Sequence, residues 1–448
     1  MPETSVLDAL SAAPWWFTSL AVIGGVATVG VIIGLFSTLG RRPVTDKAED
    51  PPEVGSDDFL RAFAGSSGSC SGTGGSARLL NNGDAFFPVI LEAIGAAEHS
   101  VNFMVYIWEP GRSSDQVIAA LIERARAGVE VRVLLDAMGG LRAPDDDFER
   151  FRAAGGHVVR YRPARFGKLT RLYKRNHRRA IVIDGRVGFT GGAAVGDKWL
   201  GDARNPEEWR DSMVELRGAP AQALQSAFVQ LWANTCGEIL TGDAFWPDVR
   251  ASETASDTAS DAGDTIERYA HVLSSPGSED HPLRHAFVLS YLAARETLYI
   301  TTPYFVPDRS TRRAVMERAR AGVDVRILLP NNHTDAKPIR LASHRFYEAL
   351  LRSGVRVYEY QPTMIHTKHA VIDGRWSLLG SPNMDVRSYE LNDENVMGLL
   401  DVELGAECVR TFLADIEQAI EIDLATWRRR SLFKRILERV ASLPAEQY

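Results

Sequence analysis

A stretch of sequence that occurs twice constrains this chain more than any other feature. Residues 121–135 read LIERARAGVEVRVLL, and residues 315–329 read VMERARAGVDVRILL. In each copy a helical pattern stops at a glycine, Gly128 or Gly322, and an alternating β-branched strand follows. Another strand pattern precedes each copy, VNFMVYIW at 101–108 and TLYITTPYF at 297–305. A helix, a glycine turn and a strand come after, at 151–161 and 351–360. This alternation predicts an α/β fold with two similar α/β/α sandwich domains, 78–246 and 268–426. Each is expected to be a mainly parallel sheet with helices on both faces, and the two to pack about a pseudo-two-fold axis. The interface between such halves is a common place for a site.

Two stretches outside these units look unable to bury a core. Residues 41–77 end in GSSGSCSGTGGS and read as a flexible linker. Those glycines are not a phosphate loop, because no strand precedes them and no Gly-Lys-Ser/Thr follows. Residues 247–267 contain ASETASDTASDAGDT and read as an acidic linker.

Ahead of the first linker, no residue from Trp15 to Leu39 is charged. About 25 helical residues reach roughly 37 Å, enough to cross a ~30 Å hydrocarbon core with some tilt. Residues 1–40 are therefore expected to be an N-terminal anchor with a single transmembrane helix. A cleaved signal peptide needs a basic leader, whereas Glu3 and Asp8 precede the run and no Lys or Arg does. Arg41 and Arg42 follow it directly, which places the remainder on the cytoplasmic side of the cell membrane.

The composition of the 448 residues, 45% hydrophobic and 24% charged, is that of a globular protein. A net charge of −7 speaks against nucleic acid as partner, since duplex binders show a basic footprint. The three cysteines are too few and too far apart for a disulfide framework or a metal cluster.

After the last matched strand, each half carries the same constellation. The first is His177-Arg178-Arg179, Asp184, then Gly191-Gly192; the second is His366-Thr367-Lys368, Asp373, then Gly380-Ser381-Pro382-Asn383. Residues two apart on an extended strand share a face, so His177 sides with Arg179 and His366 with Lys368. An acid–base or nucleophilic group beside a fixed positive charge suits phosphoryl chemistry. The glycine steps let backbone come close to a phosphate.

The spacing His-x-Lys-x4-Asp-x6-Gly-Gly/Ser, present twice, resembles the phospholipase D superfamily. Within it, NHRRAIVIDGRVGFTGG, TPYFVPD, YEYQPTMIHTKHAVIDGRWSLLGSPNMD and the C-terminal WRRRSLFKRILER resemble the bacterial cardiolipin synthases, over roughly residues 78–440. The resemblance implies that one histidine attacks phosphorus to form a phosphohistidine. The other protonates the departing alcohol and later deprotonates the incoming one. It implies Lys368 and Arg179 on the equatorial oxygens, hydrogen bonds from Ser381 and Asn383, and Glu394 and Asp211 as carboxylates that orient the histidines. It implies no metal and no cofactor. The substrate class is phospholipid, phosphatidylglycerol in the leading reading. A hydrolase, a transferase on other phospholipids, and a non-catalytic lipid-binding scaffold remain the alternatives. Two departures stand out. Arg179 is where the family usually has lysine, and Ala194 where it usually has asparagine.

Plainer readings apply to several of these residues. Asp184 and Asp373 each open an Asp-Gly step, a common hairpin turn, and so are either structural or chemical. His366 and His369 face opposite sides of a strand and lack a third ligand, which excludes a zinc pair. Arg162, Arg165, Lys168, Arg171, Lys174 and Arg175 are either a solvated loop or a lip for anionic headgroups. Residues 427–448 read as a basic amphipathic helix, which either lies on an anionic membrane surface or docks on the globular part.

Overall fold

The computed structural model describes residues 24–25, 45–163, 173–249, 265–277 and 280–442. Of the expected membrane span it covers only Gly24 and Gly25, both helical; the rest of that expectation lies outside the described residues, as do 250–264 of the acidic linker and Arg165, Lys168 and Arg171 of the basic run. Among the described residues no helix is long and apolar enough to cross a membrane. Residues from Asp46 onward form one compact unit.

That unit is built on two sheets of equal strand order. The first runs Ser76–Asn81, Ser212–Arg217, Val187–Gly191, Ala180–Ile183, Ser100–Val105, Glu130–Asp136, His157–Tyr161. The second holds the matching order Arg268–Ser274, Asn392–Leu400, Trp376–Gly380, His369–Ile372, Thr297–Thr301, Asp324–Pro330, Arg356–Tyr360, with a short antiparallel strand added at each edge, Cys70–Gly72 and Ala419–Glu421. Neither is mainly parallel, which corrects the sequence expectation. Along each order the first four pairings are antiparallel and only the last two are parallel. The Asp-Gly steps account for part of this. Asp184 and Gly185 have φ of 52° and 62°, and Asp373 and Gly374 have 50° and 63°. Consecutive positive φ is what a tight hairpin turn requires, so the chain doubles back beside itself.

The 41–77 segment also differs from expectation, for from Asp46 it packs as part of the fold. Ser56 caps a helix, Asp57–Ser67, by accepting the Phe59 N–H. Phe59 and Phe63, one helical turn apart, bury their rings edge-on against Trp376, with centroids 5.4 and 5.2 Å away. Burying two such rings contributes about 3–6 kcal/mol, which a solvated linker forgoes. Cys70–Gly72 then extends the second sheet beside Arg268–Ser274.

Three cores hold the layers together. One lies on the outer face of each sheet, and the third joins both halves. Into that middle core Leu224, Phe228 and Leu231 project from the helix Ala219–Cys236, and Leu404, Cys408 and Phe412 from Val402–Glu417. Each of these helices touches strands of both sheets.

The C-terminal helix Leu432–Ala441 docks by its polar side. Glu438 is buried against Arg430 at 3.0 Å and His344 at 3.6 Å, and Arg345 donates to Ser442. Ile436, Leu437 and Val440 face outward, 52%, 42% and 56% exposed.

Candidate active site

Both histidines lie where the chain enters an antiparallel strand, each pinned to the opposite half. The His177 N–H donates to the Asp393 carbonyl at 2.9 Å, continuing the short parallel pairing of Arg175–Asn176 with Asn392 and Asp393. The His366 N–H donates to the Arg210 carbonyl at 2.7 Å, and the Arg210 N–H returns to Met364. These two ladders set the next residue on each partner strand, Glu394 and Asp211, directly against an imidazole.

The pairing that results is crossed. His177 of the first half meets Glu394 of the second through Nδ1, at 2.9 Å. His366 of the second half meets Asp211 of the first through Nδ1, at 2.7 Å. Each carboxylate has further donors. Asp211 accepts from the Trp199 indole at 2.9 Å and the Ser212 N–H at 2.8 Å. Glu394 accepts from the Ser381 hydroxyl and, at 3.1 Å, from the Asn392 amide.

Burial is the main influence that holds both imidazoles below their ordinary value, His177 at about 4 and His366 at about 3. Neighbouring cations add to it, Arg179 beside His177 and Lys368 beside His366. Burial alone would raise the two carboxylates, yet His366 and Lys368 bring Asp211 down, and His177, Ser381 and Arg179 bring Glu394 down. The resting pair is therefore a neutral imidazole beside a charged carboxylate. Because the carboxylate can only accept, Nδ1 carries the proton, and Nε2 keeps a free lone pair.

The two sites share one electrostatic field. Lys368 acts on His177 across the interface, and Arg179 acts on His366. Asn395, next to Glu394, accepts the Arg179 backbone N–H at 3.0 Å and donates to Thr190 at 3.0 Å. Lys368 Nζ donates to the His366 carbonyl at 2.8 Å and lies 3.1 Å from both ring nitrogens. An atom that close to both sits over the ring face, since an equidistant point in the ring plane would collide with the carbon between them. Aromatic rings close the walls: Tyr106 at 5.1 Å from His177, and Trp209 and Trp199 at 5.1 and 5.6 Å from His366.

Other expected residues fall elsewhere or act differently. Asp184 and Asp373 stand at the far ends of the strands that the histidines begin. Asp184 accepts the backbone N–H groups of Glu98, His99 and Ser100, and Asp373 those of Arg295, Glu296 and Thr297. Of the two readings of these aspartates, structural or chemical, that geometry favours the structural one, for both anchor turns. Gly191 and Gly192 make room for protein. A Cβ on Gly191 would lie 2.4 Å from the Ser212 carbonyl, and one on Gly192 2.1 Å from Asp211 Oδ1. Ser381 serves Glu394. Asn383 is buried, its Oδ1 without a hydrogen-bond partner among the described residues. Sequence reasoning missed Tyr106, Trp199, Trp209, Asn392 and Asn395. Only the asparagines, flanking Glu394, carried a positional hint.

Comparison with known proteins identifies the family. The family described as cardiolipin synthase, PLD-like domain, matches residues 90–232 and 291–416. The chain belongs to that family. Cardiolipin synthase 2 of Bacillus anthracis is 33% identical over 362 residues, 81% of this chain and 68% of its own length. A cardiolipin synthase of Geobacillus kaustophilus is 34% identical over 367 residues, 82% of this chain and 71% of its own. Among solved structures, phosphatidylserine synthase of Haemophilus influenzae shares the fold at a TM-score of 0.63 with 15% identity, over 88% of this chain and all of that one.

Proposed function

We propose that this phospholipase D-type phosphatidyltransferase makes cardiolipin from two molecules of phosphatidylglycerol, releasing glycerol. The observation that carries the reading is the crossed pair of imidazole–carboxylate dyads within one cationic field. One Nε2 attacks phosphorus, and the P–O bond to the departing glycerol breaks while the other imidazole gives that oxygen a proton. The hydroxyl of a second phosphatidylglycerol then returns a proton to the second imidazole and attacks phosphorus. The P–N bond breaks, and the enzyme is restored. An imidazolium must form in this sequence, although both rings rest neutral. The phosphodiester brings one negative charge, which offsets Arg179 and Lys368 and favours protonation. His177, Arg179, His366 and Lys368 thus act on substrate, while Glu394 and Asp211 hold the tautomers.

We also propose the finer organisation that fits this chemistry. The matched halves, 78–246 and 268–426, are related by a pseudo-dyad through the site, and the Trp15–Leu39 span anchors the chain with its catalytic part in the cytoplasm. The C-terminal helix turns Ile436, Leu437 and Val440 outward among exposed Arg428, Arg429, Lys434, Arg435 and Arg439, a surface suited to an anionic membrane.

Mass spectrometry of the products formed by the purified full chain on phosphatidylglycerol vesicles tests the reading. Cardiolipin and glycerol in equal amounts are expected. Phosphatidic acid in place of cardiolipin would make the protein a hydrolase.

A further inference from the structure

Within the shared frame, two matched positions differ together in a way that the geometry explains. The cation follows its histidine by two positions in both halves, as Arg179 and as Lys368. A second residue follows the histidine by seventeen positions in both, and it is Ala194 in the first half and Asn383 in the second. The first half thus holds arginine with alanine where the second holds lysine with asparagine.

The two cations reach different distances. Lys368 Nζ bonds the carbonyl of its own histidine and stays over that ring. Arg179 also bonds its own histidine's carbonyl, through Nη1 at 2.8 Å, but its Nε crosses to the Ala193 carbonyl at 3.2 Å. That carbonyl belongs to the peptide that joins Ala193 to Ala194. The guanidinium therefore spans both walls of the first site, where the lysine touches one. Its Nη2 is buried with no hydrogen-bond partner among the described residues. A buried donor left unpaired is costly unless something that binds there accepts from it. The donor count matches too. Lysine offers three and an asparagine amide two, and arginine alone offers five.

We propose that Arg179 does the work of both Lys368 and Asn383, supplying the charge and the planar N–H donors to a phosphate oxygen, and that Ala194 is small so that the guanidinium fits. The inference rests on the phosphatidyl-transfer reading above, and it makes Arg179 and Ala194 a coupled pair rather than two losses.

A double-mutant cycle on the full chain tests it, read as kcat/KM for cardiolipin formation, with thermal midpoints to show that each variant folds. R179K is expected to lose about a hundredfold, the usual effect of removing a preorganised donor at a transferring group. A194N should lose activity as well, because the amide crowds the guanidinium. The double variant R179K/A194N should recover at least about tenfold over R179K, whereas R179K/A194L, which fills the space without donors, should not. The mirror exchange in the second half, K368R/N383A, should retain more activity than K368R alone. Additive losses, an R179K that keeps full activity, or equal rescue by leucine would each overturn the pairing. A wild type that makes no cardiolipin would instead overturn the proposed function.

Discussion

The two halves place an imidazole by the same crossing and complete its surroundings with different atoms. In the first half a glycine, Gly192, stands where the second has Ser381, and the carboxylate beside it is aspartate rather than glutamate. Asp211 takes its outer donor from the Trp199 indole, and Glu394 takes its own from the Ser381 hydroxyl and the Asn392 amide. The shorter carboxylate fits only because Gly192 lacks a side chain; the longer one has a hydroxyl to meet it. What the duplication keeps is a fully satisfied, ionised acceptor behind each imidazole, by whichever residues do that. Residue identity is free to drift where that condition holds.

The comparison can be broken most severely at the imidazoles. His177→Ala and His366→Ala should each lower kcat by about a thousandfold or more, and the double variant should be little worse than either, because the pair acts as a unit. A single variant with near-normal product formation by mass spectrometry would show that one half is dispensable. Next comes the crossing. Gly192→Ala lies in the first half, yet its Cβ would displace Asp211 and so disable His366 of the second. Losing a charged hydrogen bond corresponds to roughly a ten- to hundredfold fall in kcat. Ser381→Ala removes one donor from Glu394 and leaves the others, so a fall of about threefold to tenfold is expected in the same assay. A Ser381→Ala defect as deep as that of Gly192→Ala would overturn the view that these positions differ in kind.

A subtler contrast concerns pH. Burial pushes Lys368 down to about 7, so the charge of the second half is lost as pH rises through that value, while a guanidinium keeps its charge. The kcat/KM profile should therefore fall on the alkaline side, and Lys368→Arg should move that limb to higher pH even if its plateau is lower. An unmoved limb would assign the titration to another group. The smallest effect on turnover belongs to the turn anchors. Asp184→Ala removes an acceptor of three backbone N–H groups and should destabilise the fold by about 2 kcal/mol in denaturant titration, with kcat nearly unchanged.

Repeat and motif spacing marked the histidines and their cations in the sequence, and the family resemblance pointed to the two carboxylates. The crossing was not legible, because nothing along the chain says that Glu394 serves His177 rather than His366; that follows from which strand edge each histidine loop reaches. Strand direction was missed for a similar reason. Hydrophobic periodicity marks a strand and its buried faces but carries no sign for parallel or antiparallel; the Asp-Gly steps, which read as hairpin turns, hold that sign for only one pairing in each half. The helix at Asp57–Ser67 had visible signals in Ser56, Phe59 and Phe63, outweighed by the glycines that follow them. The glycines themselves were read as openings for a ligand, whereas the space at Gly191 and Gly192 is taken up by Ser212 and Asp211.

The middle core has a consequence for how the chain can be cut. Its side chains come from both halves, so the spacing of the two imidazoles is held by packed hydrocarbon and not by the peptide that connects them. Backbone continuity between residues 249 and 265 is then dispensable to geometry: a protease nick there would leave two fragments clasped together and still catalytic, whereas either fragment made alone would lack the carboxylate its histidine needs.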